Sequence, residues 1–291
     1  MTAAITISRQ RLEELRRRRY RQMPALRLQD ERQAVEFIND VGMSLLFSSR
    51  SIELPTLWGA ICGEDRPIPS HHDDYELGLA WVWKDSIPER RQALYGKFLK
   101  NTPVFISLDL AAHFYALSDN YGELDDYLEA YRDGKMSEEA RRIYETLLEN
   151  GALPTSELRR AAGISSKGAA RLFDRAIAEL QMGFRIVKVG TSDANRWGYC
   201  YVYDLFLRQF PEPVAAARHI RQDDAAEAIL QRYLQTVCAA RPADVGRLFG
   251  WSAWRLERTI GRLAERGAIL VDARVEGTRG EFLAANCPSW G

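Results

Sequence analysis

Residues 155–180, TSELRRAAGISSKGAARLFDRAIAEL, lay over residues 242–267, PADVGRLFGWSAWRLERTIGRLAERG, without a gap at an offset of 87. Glu157/Asp244, Leu158/Val245, Arg160/Arg247, Gly163/Gly250, Ser165/Ser252, Arg171/Arg258 and Arg175/Arg262 then coincide. Each copy reads as a short helix, a turn at the glycine, and a longer helix capped by the serine. The shared positions are a turn residue, a cap and arginines, the pattern of a helix-turn-helix, and that pattern points to DNA.

Working outward, Ser137 with Glu138 and Glu139 opens a helix that Gly151 stops, and Thr155 caps the short helix. After the long helix, FRIVKVG (184–190) and WGYCYVYDL (197–205) flank the polar TSDANR and predict a hairpin. Three helices and a hairpin, in that order, make a winged helix. The second copy repeats the plan: Asp223 and Asp224 open a helix to about Cys238. AILVDARV and EFLAAN then flank a Gly277-Thr278-Arg279-Gly280 tip.

Upstream the signal weakens. Asp30 caps a helix with Ala34, Val35, Ile38 and Val41 on one side, ended by Gly42, and LPTLWGAI (54–61) reads as a second short helix. Residues 86–100, rich in basic and aromatic side chains, predict a longer helix. TPVFISLDL (102–110) predicts a strand running into a helix capped near Ser107, and 119–136 an acidic connector. The expected organisation is a basic N-terminal arm or helix at 1–29 and a first winged-helix-like domain with its connector at 30–136. A second winged helix follows at 137–210 and a third at 211–291. The fold class is mainly α with small β-hairpin wings, as tandem winged-helix domains.

Composition bounds the function. The 291 residues are 46% hydrophobic and 27% charged, as in globular proteins, and no run approaches a membrane span. The N-terminus has no apolar signal core, so a cytoplasmic protein without a membrane partner is expected. Cys62, Cys200, Cys238 and Cys287 form no CxxC pair and read as reduced thiols. Formal net charge is zero, which argues mildly against nucleic acid, but 9–32 holds nine arginines against four acids. The cations are 34 arginines and 6 lysines, which suits phosphate and guanine contacts and equally reflects a GC-rich genome.

Chemistry concentrates on the long helices. Lys167, Arg171 and Arg175 stand at i, i+4 and i+8, and Ser165 and Ser166 at the helix start could bond phosphate or base. The matching helix offers Arg255, Arg258 and Arg262, while Asn195, Arg196 and Arg279 sit on the wings, within reach of a minor groove or backbone. The same arginine faces also fit protein contacts. His71-His72-Asp73-Asp74 lacks a completing cluster, so neither metal nor other cofactor is expected. Walker, GxSxG and GxGxxG motifs are absent. Trp81, Trp83, Lys84 and Asp85 read either as a base-stacking and water-positioning group or as core tryptophans beside a surface ion pair.

RRAAGIS (159–165), RLFGWS (247–252) and VGMSLL followed by LPTLWGAI in the first domain, with the order of elements, resemble the bacterial helix-turn-helix DNA glycosylases of the AlkZ and YcaQ type. The resemblance implies three tandem winged helices, usually followed by a small β-barrel that this sequence is not expected to contain. It also implies repair of alkylpurines and interstrand crosslinks in double-stranded DNA. In that family a glutamine, and a carboxylate or second glutamine two residues on, position the hydrolytic water. Laid onto Val41-Gly42-Met43, those positions hold Ser44 and Leu46, so the Gln-x-Gln or Gln-x-Asp motif is not found there and no catalytic residue carries over. Asp85, Asp73 and Asp74 stand as candidate carboxylates for a relocated reaction. Three readings remain open from sequence: a glycosylase-like or damage-recognising DNA repair protein, a winged-helix transcriptional regulator, and a protein-interaction scaffold.

Overall fold

A computed structural model describes residues 5–70, 73–165, 168–194 and 198–286. Strand β1 (Thr6–Ile7) leads into α1 (Arg9–Arg19), α2 (Glu31–Val41), β2 (Met43–Leu45), α3 (Leu57–Cys62) and α4 (Tyr75–Glu89). A hairpin of β3 (Leu94–Leu99) and β4 (Thr102–Ile106) precedes α5 (Leu108–Leu117) and α6 (Asp126–Arg132). The first copy of the repeat then runs α7 (Glu138–Asn150), β5 (Leu153–Pro154), α8 (Thr155–Ala161), α9 (Ala170–Met182), β6 (Ile186–Ser192) and β7 (Cys200–Leu205). Two short helices, α10 (Phe206–Gln209) and α11 (Pro211–Ala217), lead to the second copy: α12 (Gln222–Val237), β8 (Ala239–Ala240), α13 (Pro242–Phe249), α14 (Ala253–Glu265), β9 (Ile269–Val275) and β10 (Phe282–Ala285).

These elements gather into two compact units, Met1–Trp83 with Asp223–Gly291, and Lys84–Gln222. In the first, β1 pairs in parallel with β9, Thr6 opposite Arg274, and the sheet runs β1-β9-β10-β8. The basic segment before residue 30 is therefore anchored in this unit. Arg16 donates to the carbonyls of Val237, at the end of α12, and of Ala239 on β8, both at 2.9 Å; the first is a group that the helix end leaves unpaired. Ile7, Leu12, Ala273, Val275 and Phe282 form the core beneath.

In the second unit, α7, α8 and α9 enclose Ile143, Tyr144, Leu158, Phe173 and Ile177, and the sheet β5-β7-β6 closes the core with Ile186 and Leu205. The expected helix over 86–100 is corrected: α4 stops at Glu89, and 94–99 is a strand paired with β4. Lys100 and Asn101, at φ 50° and 55°, make the two-residue turn whose twist matches paired strands, and Leu94, Tyr95, Phe98 and Leu99 are buried.

The repeat is also not gap-free in space. Gly163 to Ala170 spans seven residues and Gly250 to Ala253 three, so the first copy carries four more before its long helix. From there the equivalent offset is 83: Ala176 matches Thr259 and Leu180 matches Leu263, all four buried. Ser252 caps α14 by accepting from the Arg255 amide at 3.2 Å, whereas α9 starts after Ala169 and Ser165 lies in the preceding loop. The added residues include Gly168 at φ 97°, a conformation other residues resist. Because four residues make about one helical turn, the arginines still coincide in sequence although the helices are out of step. Arg175 stands where Arg258 does, and Arg171 where the second copy has Trp254.

Candidate functional site

The position that the sequence resemblance gives to the catalytic pair is core. Ser44 is fully buried on β2 and its hydroxyl bonds the carbonyls of Leu45 at 3.1 Å and Pro55 at 3.2 Å; Leu46 is buried beside it. A Gln-x-Asp triplet does occur elsewhere, at Gln222-Asp223-Asp224, but it opens α12 and its carboxylates hold arginines.

Those arginines are the ones on α14. Asp223 takes two hydrogen bonds from Arg258, at 2.9 and 2.6 Å. Buried Glu227 pairs with both Arg262 and Arg266, and Asp224 lies 3.1 Å from Arg262. Three guanidiniums thus meet three carboxylates. Trp254, 65% exposed, stands beside them with the Arg258 guanidinium 5.5 Å from its ring. Arg255 is half-buried and Arg279 lies exposed at the β9–β10 tip.

On α9 the outcome is different. Arg171 and Arg175 are exposed, and neither forms an ion pair among the described residues. Two acids of α7 are engaged on their own helix: Arg141 takes Glu138 at 2.9 Å and Glu145 at 2.8 Å. Arg171 and Arg175 line a groove of about 480 Å³ together with Lys97 and Asn101 from the β3–β4 hairpin and with two acids, Asp174 and Glu179, of which Glu179 is held by Ser137. Sequence reasoning missed Lys97 and Asn101, because some 70 residues separate them from α9 and no motif marks them. Ser165 is exposed near the groove's helix, and Ser166, Lys167, Asn195 and Arg196 lie outside the described residues.

Asp85 sits at the centre of a cationic cluster in the same unit. Lys84 and Lys188 are almost fully buried, and both ammoniums bond Asp85 Oδ1, Lys84 at 2.6 Å. Lys84 also donates to the hydroxyls of Tyr199 at 2.6 Å and Tyr201 at 3.1 Å, and Tyr199 donates to Asp85 Oδ2 at 2.9 Å. The Lys188 ammonium lies 4.3 Å from the centre of the Tyr201 ring. Burial pushes the Asp85 carboxyl up, but the hydrogen bonds and charges of Lys188 and Lys84 overcome it and hold the group below its usual range. Burial, helped by the Lys84 charge, brings Lys188 down to about 8. The expected surface pair is thus a buried network.

The other expected positions scatter. Trp83 is core, while Trp81 is 45% exposed and packs edge-on against Phe47 at 5.8 Å. Asp74 starts α4, accepting from the Leu77 amide at 2.9 Å, and pairs with Arg66; Asp73 is exposed one residue before it. His71 and His72 lie outside the described residues. Among the described residues no three His, Cys, Asp or Glu side chains gather as metal ligands, and no helix is long and apolar enough to cross a membrane.

A family model described as AlkZ related matches residues 28–250. The chain belongs to the AlkZ-related family. The solved structure of the Streptomyces sahachiroi DNA glycosylase AlkZ is similar over 97% of this chain and 70% of that one, with a TM-score of 0.57 at 16% identity. Identity that low shows a common fold. No curated protein matches the chain. Within the AlkZ-related fold, the order α7-α8-α9-β6-β7 and its second copy α12-α13-α14-β9-β10 give mainly helical structure with small antiparallel hairpins.

Proposed function

We propose that this AlkZ-related protein binds double-stranded DNA in a repair setting through tandem winged helices, with α9 as the principal contact. The domains would be the basic segment 1–29, a first winged-helix-like domain at 30–136, and winged helices at 137–210 and 211–291. The observation that carries the reading is the groove in which Arg171, Arg175 and Lys97 gather without ion-pair partners for the two arginines. Free guanidiniums bind phosphate without first giving up a carboxylate. The fold shared with a DNA glycosylase supports a damaged duplex as the target.

Base excision does not follow from the same geometry. Ser44 and Leu46 offer no group to activate water or stabilise an oxocarbenium-like sugar. Asp85 carries one negative charge against two ammoniums, so with both lysines protonated its cluster is net positive and opposes a developing cation. We therefore read the chain as a damage-binding member without excision at these positions.

The test is a single-turnover incubation with duplex carrying N7-alkylguanine or an interstrand crosslink, beside binding titrations at two salt concentrations. Salt-sensitive binding that favours the damaged duplex, with no base release, is expected. Each phosphate contact should add about 0.9 to the salt slope. Flat salt dependence would overturn the DNA reading, and base release abolished in a folded Asp85→Asn variant would overturn the non-excising one.

A further inference from the structure

A cavity of about 520 Å³ opens in the unit formed by Met1–Trp83 with Asp223–Gly291, bounded by α1, the 49–53 loop, the start of α13 and the β9–β10 hairpin. Its volume suits a ligand of nucleotide size. Ser44 and Leu46 do not line it, so it is separate from the position of the family's catalytic pair.

The charges on its wall divide sharply. Arg9 pairs with Glu13 at 2.9 Å, Arg16 with Glu53 at 3.3 Å, and Arg247 with Asp244 at 2.9 Å. Arg50 and Arg241 also line it, both exposed, and neither meets a carboxylate among the described residues. Five guanidiniums against three carboxylates leave a surplus of two positive charges, and it resides on these two side chains. Arg241 is already ordered, with its guanidinium 5.3 Å from the centre of the Phe282 ring, so little freedom remains to be lost on binding. Arg50 lies in a tight loop, with Ser49 bridged to Ile52 across it, and the Ser49 and Ser51 hydroxyls line the cavity beside it. Arg241 occupies the position just before α13.

We propose that this cavity is a phosphomonoester site of single-nucleotide size, in which Arg50 and Arg241 hold the phosphate and the Ser49 and Ser51 hydroxyls bond its oxygens. A terminal 5′-phosphate of a DNA strand and the phosphate of a free nucleotide share this chemistry. The proposal goes beyond the duplex reading, since it uses neither α9 nor its groove, and each can fail without the other.

The experiment titrates the whole protein with inorganic phosphate, deoxyadenosine monophosphate, and a short single strand with and without a 5′-phosphate, followed by calorimetry. Binding of a phosphomonoester that weakens at least about tenfold in Arg50→Ala and in Arg241→Ala is expected. Arg50→Lys should retain part of the affinity, and Arg132→Ala, an exposed position at the end of α6, should leave it unchanged. A thermal melt of each variant confirms folding; among the described residues Arg50 makes no contact with a ring, so Arg50→Ala keeps the test open if Arg241→Ala destabilises the unit. Preference for the phosphorylated strand over the mononucleotide identifies a strand end, and the reverse identifies a free nucleotide. Absence of binding at millimolar phosphomonoester, or binding indifferent to both substitutions, would overturn the proposal.

Discussion

Helices α9 and α14 carry one sequence pattern and put their arginines to different uses. On α14, Arg258, Arg262 and Arg266 reach the acids of α12, so the face that the pattern would give to DNA is neutral and serves to bind two helices together. On α9, Arg171 and Arg175 have no such partners among the described residues, and two of the acids of α7, Glu138 and Glu145, are held by Arg141 on their own helix. Asp85, in the same unit, is occupied by Lys84 and Lys188. Where carboxylates are placed, rather than where arginines are, separates an open cationic face from a packing face. A guanidinium already held bidentate must lose that pair before it can take a phosphate.

The largest effect is expected where a carboxylate alone neutralises buried ammoniums. Asp85→Ala leaves Lys84 and Lys188 without an anion and should cost about 3–5 kcal/mol in denaturant unfolding. Unchanged stability would show that the cluster is not structural and would return Asp85 to consideration as a chemical group. Its pH dependence has a defined sign. The folded Asp85 carboxyl titrates below its ordinary 3.8, so its stabilisation is complete above that pH and is lost as pH falls through the folded value. Lys188 acts in the other window: between about 8 and its ordinary 10.5 the unfolded chain holds a proton the folded one lacks, so this group makes stability rise with pH there. Both slopes should vanish in the corresponding Asp85→Ala and Lys188→Met variants.

Next, Arg171→Glu with Arg175→Glu should lower duplex affinity roughly a hundredfold at low salt, and the alanine pair should reduce the salt slope by about 1.8. The matched Arg258→Ala with Arg262→Ala should leave the slope nearly unchanged while lowering stability. Equal effects of the two pairs on binding would erase the distinction between the helices.

Glu227→Gln removes the buried partner of two half-exposed arginines and should destabilise by about 2 kcal/mol, read from a urea midpoint shift. The smallest effect is a gain. Asp223→Asn with Asp224→Asn weakens the hold on Arg258 and Arg262, and a several-fold tighter, more salt-dependent duplex affinity is expected. A titration that superimposes on wild type would show that α14 does not face the duplex even when its arginines are free.

The sequence by itself determined the local parts. Asp30, Thr56, Ser137 and Ser252 each cap a helix through their own side chains, and helices α7, α9 and α12 follow apolar spacing readable in the chain. The hairpins after α9 and α14 were legible from β-rich runs around polar tips. Local rules failed at residues 94–99, where basic and aromatic residues suit a helix until the Lys100-Asn101 turn and the partner strand are in place. They failed again at Ser165, because the repeat is gap-free in letters and four residues out of step in space. Only the tertiary structure decided which charges meet: Lys97 lines one groove with Arg171 across some 70 residues, Asp223 takes Arg258 across 35, and Lys188 takes Asp85 across 103. Electrostatic pairing depends on distance through space, and spacing along the chain fixes that distance only within a helix or a turn.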